Sequence, residues 1–286
     1  MRYFFSNFVS KIYTNISIII TSNEHSKNSI MLNKTTIRFI LSLQKKKTRE
    51  KEKLFVIEGD KLVNEFLETR TPVRILVAKP EFIKSLSPIY RQNISEIIPS
   101  SYDELKRISS LKTPHNALAV IEMPVKKTDH PAAVNELAVA LDSVQDPGNL
   151  GTIIRAAAWF GIRNIYCSNN SVDVYNPKVI QSGMGALLHV NVFYVDLGKL
   201  LESAYKDGIK IYGALMKGKS IYSCRLSDKG IILLGNESKG ISADLLPYIT
   251  DKIMIPGVNK KSPGIDSLNV SMAATVIFSE FTRRKL

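Results

Sequence analysis

The feature that most constrains this fold is an alternation of short apolar runs with amphipathic helical runs. It begins near Leu54 and starts afresh beyond Ala132. Such alternation reads as strands joined by helical crossovers, which is the pattern of α/β folds. In the first block, strands are expected at Leu54–Ile57, Val73–Ala78, 96–99 and Ala117–Glu122. Helices are expected between them at Asp60–Glu68, Glu81–Leu86 and Tyr102–Ser109, the last with Ser101 and Glu104 spaced as a capping box. Ahead of this block, Asn33–Lys53 reads as one basic helix. Behind it, Met123–Pro131 has the prolines and charges of a linker. In the second block, strands are expected at Leu137–Val144, Asn164–Cys167, Val190–Val195, Lys210–Leu215, Ile231–Leu234 and Lys252–Ile255. Helices are expected at Thr152–Phe160, Pro177–Leu187, Lys199–Asp207, Ala243–Tyr248 and Val270–Arg284. The expected organisation is a 1–30 extension, a small α/β domain over 31–122, a linker over 123–136, and a larger α/β domain over 137–286. The larger domain should hold a parallel sheet with helices on both faces.

The run from Leu141 to Gly161 concentrates chemistry. An apolar strand leads into Asp146-Pro147-Gly148-Asn149, which reads as a turn, with Asn149 as the cap of the following helix. In that helix Arg155 is one charge among Ile, Ala, Trp and Phe. It reads equally as a stem laid over apolar surface with its head in solvent.

Charge narrows the partner. The 286-residue chain carries a net charge of +13, and a surplus of that size favours a polyanion, of which nucleic acid is the commonest. Lys45, Lys46, Lys47, Arg49, Lys51 and Lys53 make a charge run of the kind that is usually a solvated face, and the net charge tips the reading toward RNA contact. Cys167 and Cys224 stand far apart and form no CxxC, and the four histidines (His25, His115, His130, His189) are scattered without an HExxH. Neither a disulfide framework, a metal site nor a histidine base is expected. Residues 1–30 are compositionally unlike the rest, and Ile16–Ile20 is too short to span a membrane. Met31 is the expected native start, with residues 1–30 a poorly ordered extension as the alternative. The protein is expected in the cytoplasm.

Two further segments end strands. Leu233-Leu234-Gly235-Asn236-Glu237-Ser238-Lys239-Gly240 sets a carboxylate between glycines, Gly235 allowing close approach of a ligand and Gly240 a sharp turn. Ser267-Leu268-Asn269-Val270-Ser271 opens the last helix, where simple capping by Ser and Asn is the lesser reading beside a functional one.

Together the three segments resemble the SpoU (TrmH) family of RNA ribose 2′-O-methyltransferases, within the SPOUT superfamily. Asn149, Gly151 and Arg155 match its first motif, Gly235, Glu237 and Gly240 its second, and Ser267 to Ser271 its third. The resemblance covers about 137–286. Residues 31–122 resemble the ribosomal-protein-like substrate-binding domain that many members carry. It implies a deep trefoil knot, a homodimer with the site at the subunit interface, and S-adenosylmethionine as cofactor. The positions matching cofactor contacts are Leu215, Leu234, Gly235, Ile255, Leu268 and Asn269. The 259–266 insertion is longer than the family's usual loop.

The resemblance also implies the reaction, transfer of a methyl group to a ribose 2′-hydroxyl. Arg155 would lie beside that hydroxyl and a flanking phosphate, with Asn149, Glu237, Ser267 and Asn269 holding it and the nucleotide. A guanidinium stays protonated, so an electrostatic role is favoured over that of a base. Ribosomal RNA is the expected substrate and transfer RNA the second choice. DNA lacks the acceptor hydroxyl. A catalytically silent RNA-binding member and a base-methylating SPOUT enzyme remain as alternatives.

Overall fold

The computed structural model describes residues 32–124, 136–257 and 267–283. The expected extension, most of the linker and the 259–266 insertion lie outside these residues.

The first sheet contains β1 (Leu54–Glu58), β2 (Val73–Ala78), β3 (Ile97–Pro99) and β4 (Ala117–Glu122) in the order β1-β4-β2-β3. β4 runs antiparallel to both its neighbours, while β2 and β3 are parallel. The Ser101–Glu104 capping box forms as expected, starting the Tyr102–Ile108 helix.

The second sheet is the expected parallel one. It contains β5 (Leu137–Leu141), β6 (Asn164–Ser168), β7 (Asn191–Val195), β8 (Ile211–Ser220), β9 (Gly230–Leu234) and β10 (Asp251–Met254) in the order β10-β8-β9-β5-β6-β7. Leu137, Val139 and Leu141 point to a core shared with the Pro147–Trp159 and Val270–Thr282 helices. Ala138 and Ala140 point to a second core beneath the Leu197–Lys206 helix. A strand buried on both faces carries no polar alternation, which is why β5 reads as an unbroken apolar run. From β5 the chain winds outward through β6 and β7, then returns to the other side of β5 for β8 to β10. β5 and β9 therefore flank the point where strand order reverses, the place where open α/β sheets bind ligands.

Four local expectations are corrected. The basic segment forms two helices, Lys34–Ser42 and Lys46–Glu52, because Nη1 of Arg49 takes the carbonyls of Leu43 (2.9 Å) and Gln44 (2.7 Å) that a continuous helix would use. Arg49 is buried at 2% exposure rather than offered to RNA. The Pro147–Trp159 helix begins before Thr152: Pro147 is its first residue, and Asp146 Oδ1 accepts the Asn149 N–H at 2.8 Å, so Asp146 is the cap and Asn149 is not. The segment after Ile241 makes only a 3₁₀ turn at Leu246–Tyr248, since Pro247 has no N–H to continue an α-helix. Lastly, β5 stops at Leu141 because Ser143, at φ 56°, turns the chain.

The two sheets belong to one packed body. Phe55, Ile57, Val63 and Phe66 share a core with Tyr175, Val179 and Ile180, and the rings of Phe55 and Tyr175 lie 4.7 Å apart. Nε and Nη2 of Arg49 both donate to Oδ2 of Asp173, at 3.1 and 2.6 Å.

Candidate active site

The three strand-ending segments converge at the reversal point. With its backbone N–H held by Asp146, Asn149 has its side-chain amide available to other partners. Nδ2 of Asn149 donates to Oε1 of Glu237 at 2.8 Å, and Nδ2 of Asn269 donates to Oδ1 of Asn149 at 3.0 Å. Oδ1 of Asn269 accepts from Ser271 N (2.9 Å) and Ser271 Oγ (2.6 Å), capping the last helix. The direction of this chain is fixed at one end. Two donors hold the Asn269 oxygen, so its NH₂ must face Asn149, and the Asn149 NH₂ must face the carboxylate. Ser271 is thus a member of the site not singled out from the sequence, although it stands inside the third motif.

The loop carrying Glu237 is built by its glycines. A Cβ on Gly235 would sit 2.2 Å from the Gly240 carbonyl carbon, and Gly240 has φ 71°. The close approach at Gly235 is therefore to the loop's own backbone, while the turn at Gly240 is as expected. Gly151 answers to helix packing, because a Cβ there would lie 2.6 Å from the carbonyl oxygen of Val179. Asp142, buried and missed in the sequence, accepts the Ser242 N–H at 2.7 Å and ties the far end of the loop to β5.

Arg155 does not join the Asn149–Glu237–Asn269 chain. Six residues along the same helix it points about 120° away from Asn149, and its Nη1 meets Sδ of Met184 at 2.6 Å. Trp159, one turn further, is 84% exposed and Met184 62%. Ser267 is exposed and joins none of these bonds.

Of the positions expected at a cofactor, Asn269 belongs to the network, Leu234 and Gly235 lie at the end of β9, and Leu215 and Ile255 lie across β9 from β5. Leu215 is partly buried in β8 past its last pairing with β9, Ile255 is partly buried just after β10, Leu234 is buried, and Leu268 is 51% exposed beside Asn269. Between Lys252 and Ile253 the β8–β10 register slips from Gly213 to Lys219, so 214–218 arch away at the strand end. Half-open leucine and isoleucine side chains beside strand-end backbone suit an adenine ring and the methylene chain of a methionine moiety, so these residues fit the cofactor the motifs imply. No group of three or more metal-ligating side chains occurs among the described residues.

Comparison with known proteins gives matching relatives over both sheets. The SpoU rRNA Methylase family model matches residues 136–279, and the MRM3-like substrate binding domain matches residues 34–119. The chain is 30% identical over 236 residues to 23S rRNA (guanosine(2553)-2′-O)-methyltransferase RlmP of Bacillus subtilis, covering 82% of this chain and 91% of that one. It is 28% identical over 258 residues to 23S rRNA (uridine(2479)-2′-O)-methyltransferase of Streptomyces viridochromogenes, covering 86% and 88%. Among solved structures, a TrmH-family protein from Porphyromonas gingivalis is 37% identical with a TM-score of 0.78, over 89% of this chain and 99% of that one. The SpoU methyltransferase AviRb from Streptomyces viridochromogenes, in complex with AdoMet, is 25% identical with a TM-score of 0.74, over 88% and 98%.

Proposed function

The chain belongs to the SpoU rRNA methylase family, and from that premise we propose that it methylates a ribose 2′-hydroxyl of ribosomal RNA using S-adenosylmethionine. The observation that carries this reading is the bonded chain Glu237–Asn149–Asn269 at the point of strand reversal. S-adenosylmethionine supplies an already activated methyl group. Leu215, Leu234, Gly235, Ile255, Leu268 and Asn269 would hold it. The protein's remaining task is to position a weakly acidic hydroxyl in line and favour loss of its proton. Glu237, with one oxygen engaged by Asn149, offers the other to the nucleotide. Ser267, exposed beside Leu268, is assigned to the nucleotide as well.

Arg155 serves a second copy of the chain. It faces away from its own network, next to the exposed Trp159 and Met184, and large exposed apolar side chains grouped together mark contact surfaces. In the resulting homodimer the guanidinium stabilises the developing alkoxide and the flanking phosphate. Residues 31–122 hold the RNA and 137–286 the chemistry, with 123–136 as the connection. The family's trefoil knot is taken as part of this reading.

The test is site-resolved 2′-O-methyl mapping of total RNA from cells with and without the gene. Loss of one methyl mark in ribosomal RNA is expected. Loss of a transfer RNA mark instead would move the substrate, and an unchanged map would reject the function.

A further inference from the structure

The loop that carries Glu237 divides two unlike surfaces. On the β8 and β10 side Leu215 and Ile255 are partly buried apolar residues, with Lys217 and Lys219 exposed on the same strand as Leu215. On the β5 and β6 side lies an open cleft of about 600 Å³, a size suited to a small ligand. Its lining is polar: Ser143, Gln145, Asn170, Ser238, Lys239 and Ser242, with Glu237 at the edge it shares with the active site.

The floor of the cleft is fixed. Asn236 Nδ2 donates to the Ser143 carbonyl at 2.8 Å, and Asn236 Oδ1 accepts from the backbone of Ser238 and Lys239, both at 3.0 Å. Ser143 N donates to Ser168 Oγ at 2.8 Å. The rim is not fixed. Among the described residues, the side chains of Gln145, Asn170 and Lys239 make no hydrogen bond or ion pair. A rigid floor under unengaged amides and an ammonium is a surface prepared for a polar ligand. Carboxamides pair with the edges of unstacked bases, and an ammonium pairs with phosphate. The cofactor, with its adenine ring, suits the side of Leu215 and Ile255 better.

We propose that this cleft holds the nucleotide adjoining the methylated ribose, with Gln145 and Asn170 reading its base edge and Lys239 taking its phosphate. The proposal rests on the RNA-methylation reading, and it names what chooses the target sequence. The cleft opens past the carboxyl ends of β5, β6 and β9, so a strand whose ribose lies at Glu237 would enter it within one nucleotide.

The test uses the full chain and short RNAs containing its methylated site, varied at each flanking base. The double variant Gln145→Ala, Asn170→Ala should raise KM for the preferred RNA about tenfold and leave kcat within about twofold. It should also erase the preference at one flanking position. Lys239→Gln should weaken all the RNAs alike and lower the slope of log affinity against log salt by about one. Cofactor affinity, measured by calorimetry, serves as the check that both variants are folded. Unchanged KM and unchanged flanking preference would overturn the proposal, as would a loss confined to kcat. If the wild-type chain transfers no methyl to any RNA, the functional reading itself fails, which is a separate outcome.

Discussion

Asn149 donates its amide to Glu237 across 88 residues of sequence, at 2.8 Å, while its own carbonyl oxygen is held by Asn269. That one side chain links all three motifs, and it is free to do so because Asp146 has taken over the capping of its helix.

Asn149→Asp tests the link. The substitution keeps the acceptor for Asn269 and replaces the donor to Glu237 with a like charge. A hydrogen bond to a charged group contributes about 1.5–3 kcal/mol, so methyl transfer should fall roughly ten- to a hundredfold. The melting temperature should barely move, since Glu237 is exposed. Steady-state rates and a thermal melt on the same preparation check both halves.

Asn269→Asp separates two roles of one residue. The carboxylate still accepts from Ser271 and Met272, and a negative charge suits a helix N-terminus, so the fold should be as stable as before. The donor to Asn149 is lost, and activity should drop about as far as in Asn149→Asp. Asn269→Ala should lose activity and also about 1 kcal/mol of stability through the missing cap. If Asn269→Asp were fully active, the bond to Asn149 would be incidental.

Arg49 is expected to matter for stability and not as a contact for RNA. It and Asp173 form a pair whose side chains are 2% and 13% exposed. Removing one partner of a buried pair costs about 3–5 kcal/mol, because the other is left uncompensated. Arg49→Ala should therefore shift the urea midpoint sharply downward. An unchanged midpoint with weakened RNA binding would put the guanidinium back on the surface.

The joint between the two sheets should weaken in alkali. Burial, with the Asp173 charge adding to it, pushes the Tyr175 hydroxyl up to about 12 from 10.0. Its folded value exceeds its unfolded value, so the stabilisation is complete below about pH 10 and is lost as pH rises through about 12. Tyr175→Phe should flatten the fall in unfolding free energy over that window. An equally steep fall in the variant would place its cause elsewhere.

Much of this is legible in the amino-acid sequence. β5 and β9 are apolar on both faces and can only be central strands, and the second and third motifs stand at the strand and helix boundaries that their flanking residues imply. What stays hidden depends on distant partners. Arg49 looks like its basic neighbours until Asp173, 124 residues away, comes beside it. Asn149 looks like a cap because Asp146-Pro147 also makes a good turn, and only Pro at the first helical position moves the boundary back. Asn149 and Arg155, six residues apart, do not share a helix face, a separation that the helix period already carries in the sequence. Ser271 bonds to a residue two positions away, so it is the one missed member with a purely local signature.

The measurement closest to the central claim is methyl transfer by a mixed dimer, one subunit carrying Arg155→Ala and the other Asn269→Asp, purified through two different tags. Each parent homodimer should be nearly inactive. In the mixed dimer one site has both lesions. The other takes its Asn269 from the Arg155→Ala subunit and its Arg155 from the partner, so it is complete. Because separate sites act independently, activity should return to about half that of the wild-type dimer. A mixed dimer as inactive as its parents would contradict the account, showing that Arg155 serves its own subunit's pocket or that both sites must be intact.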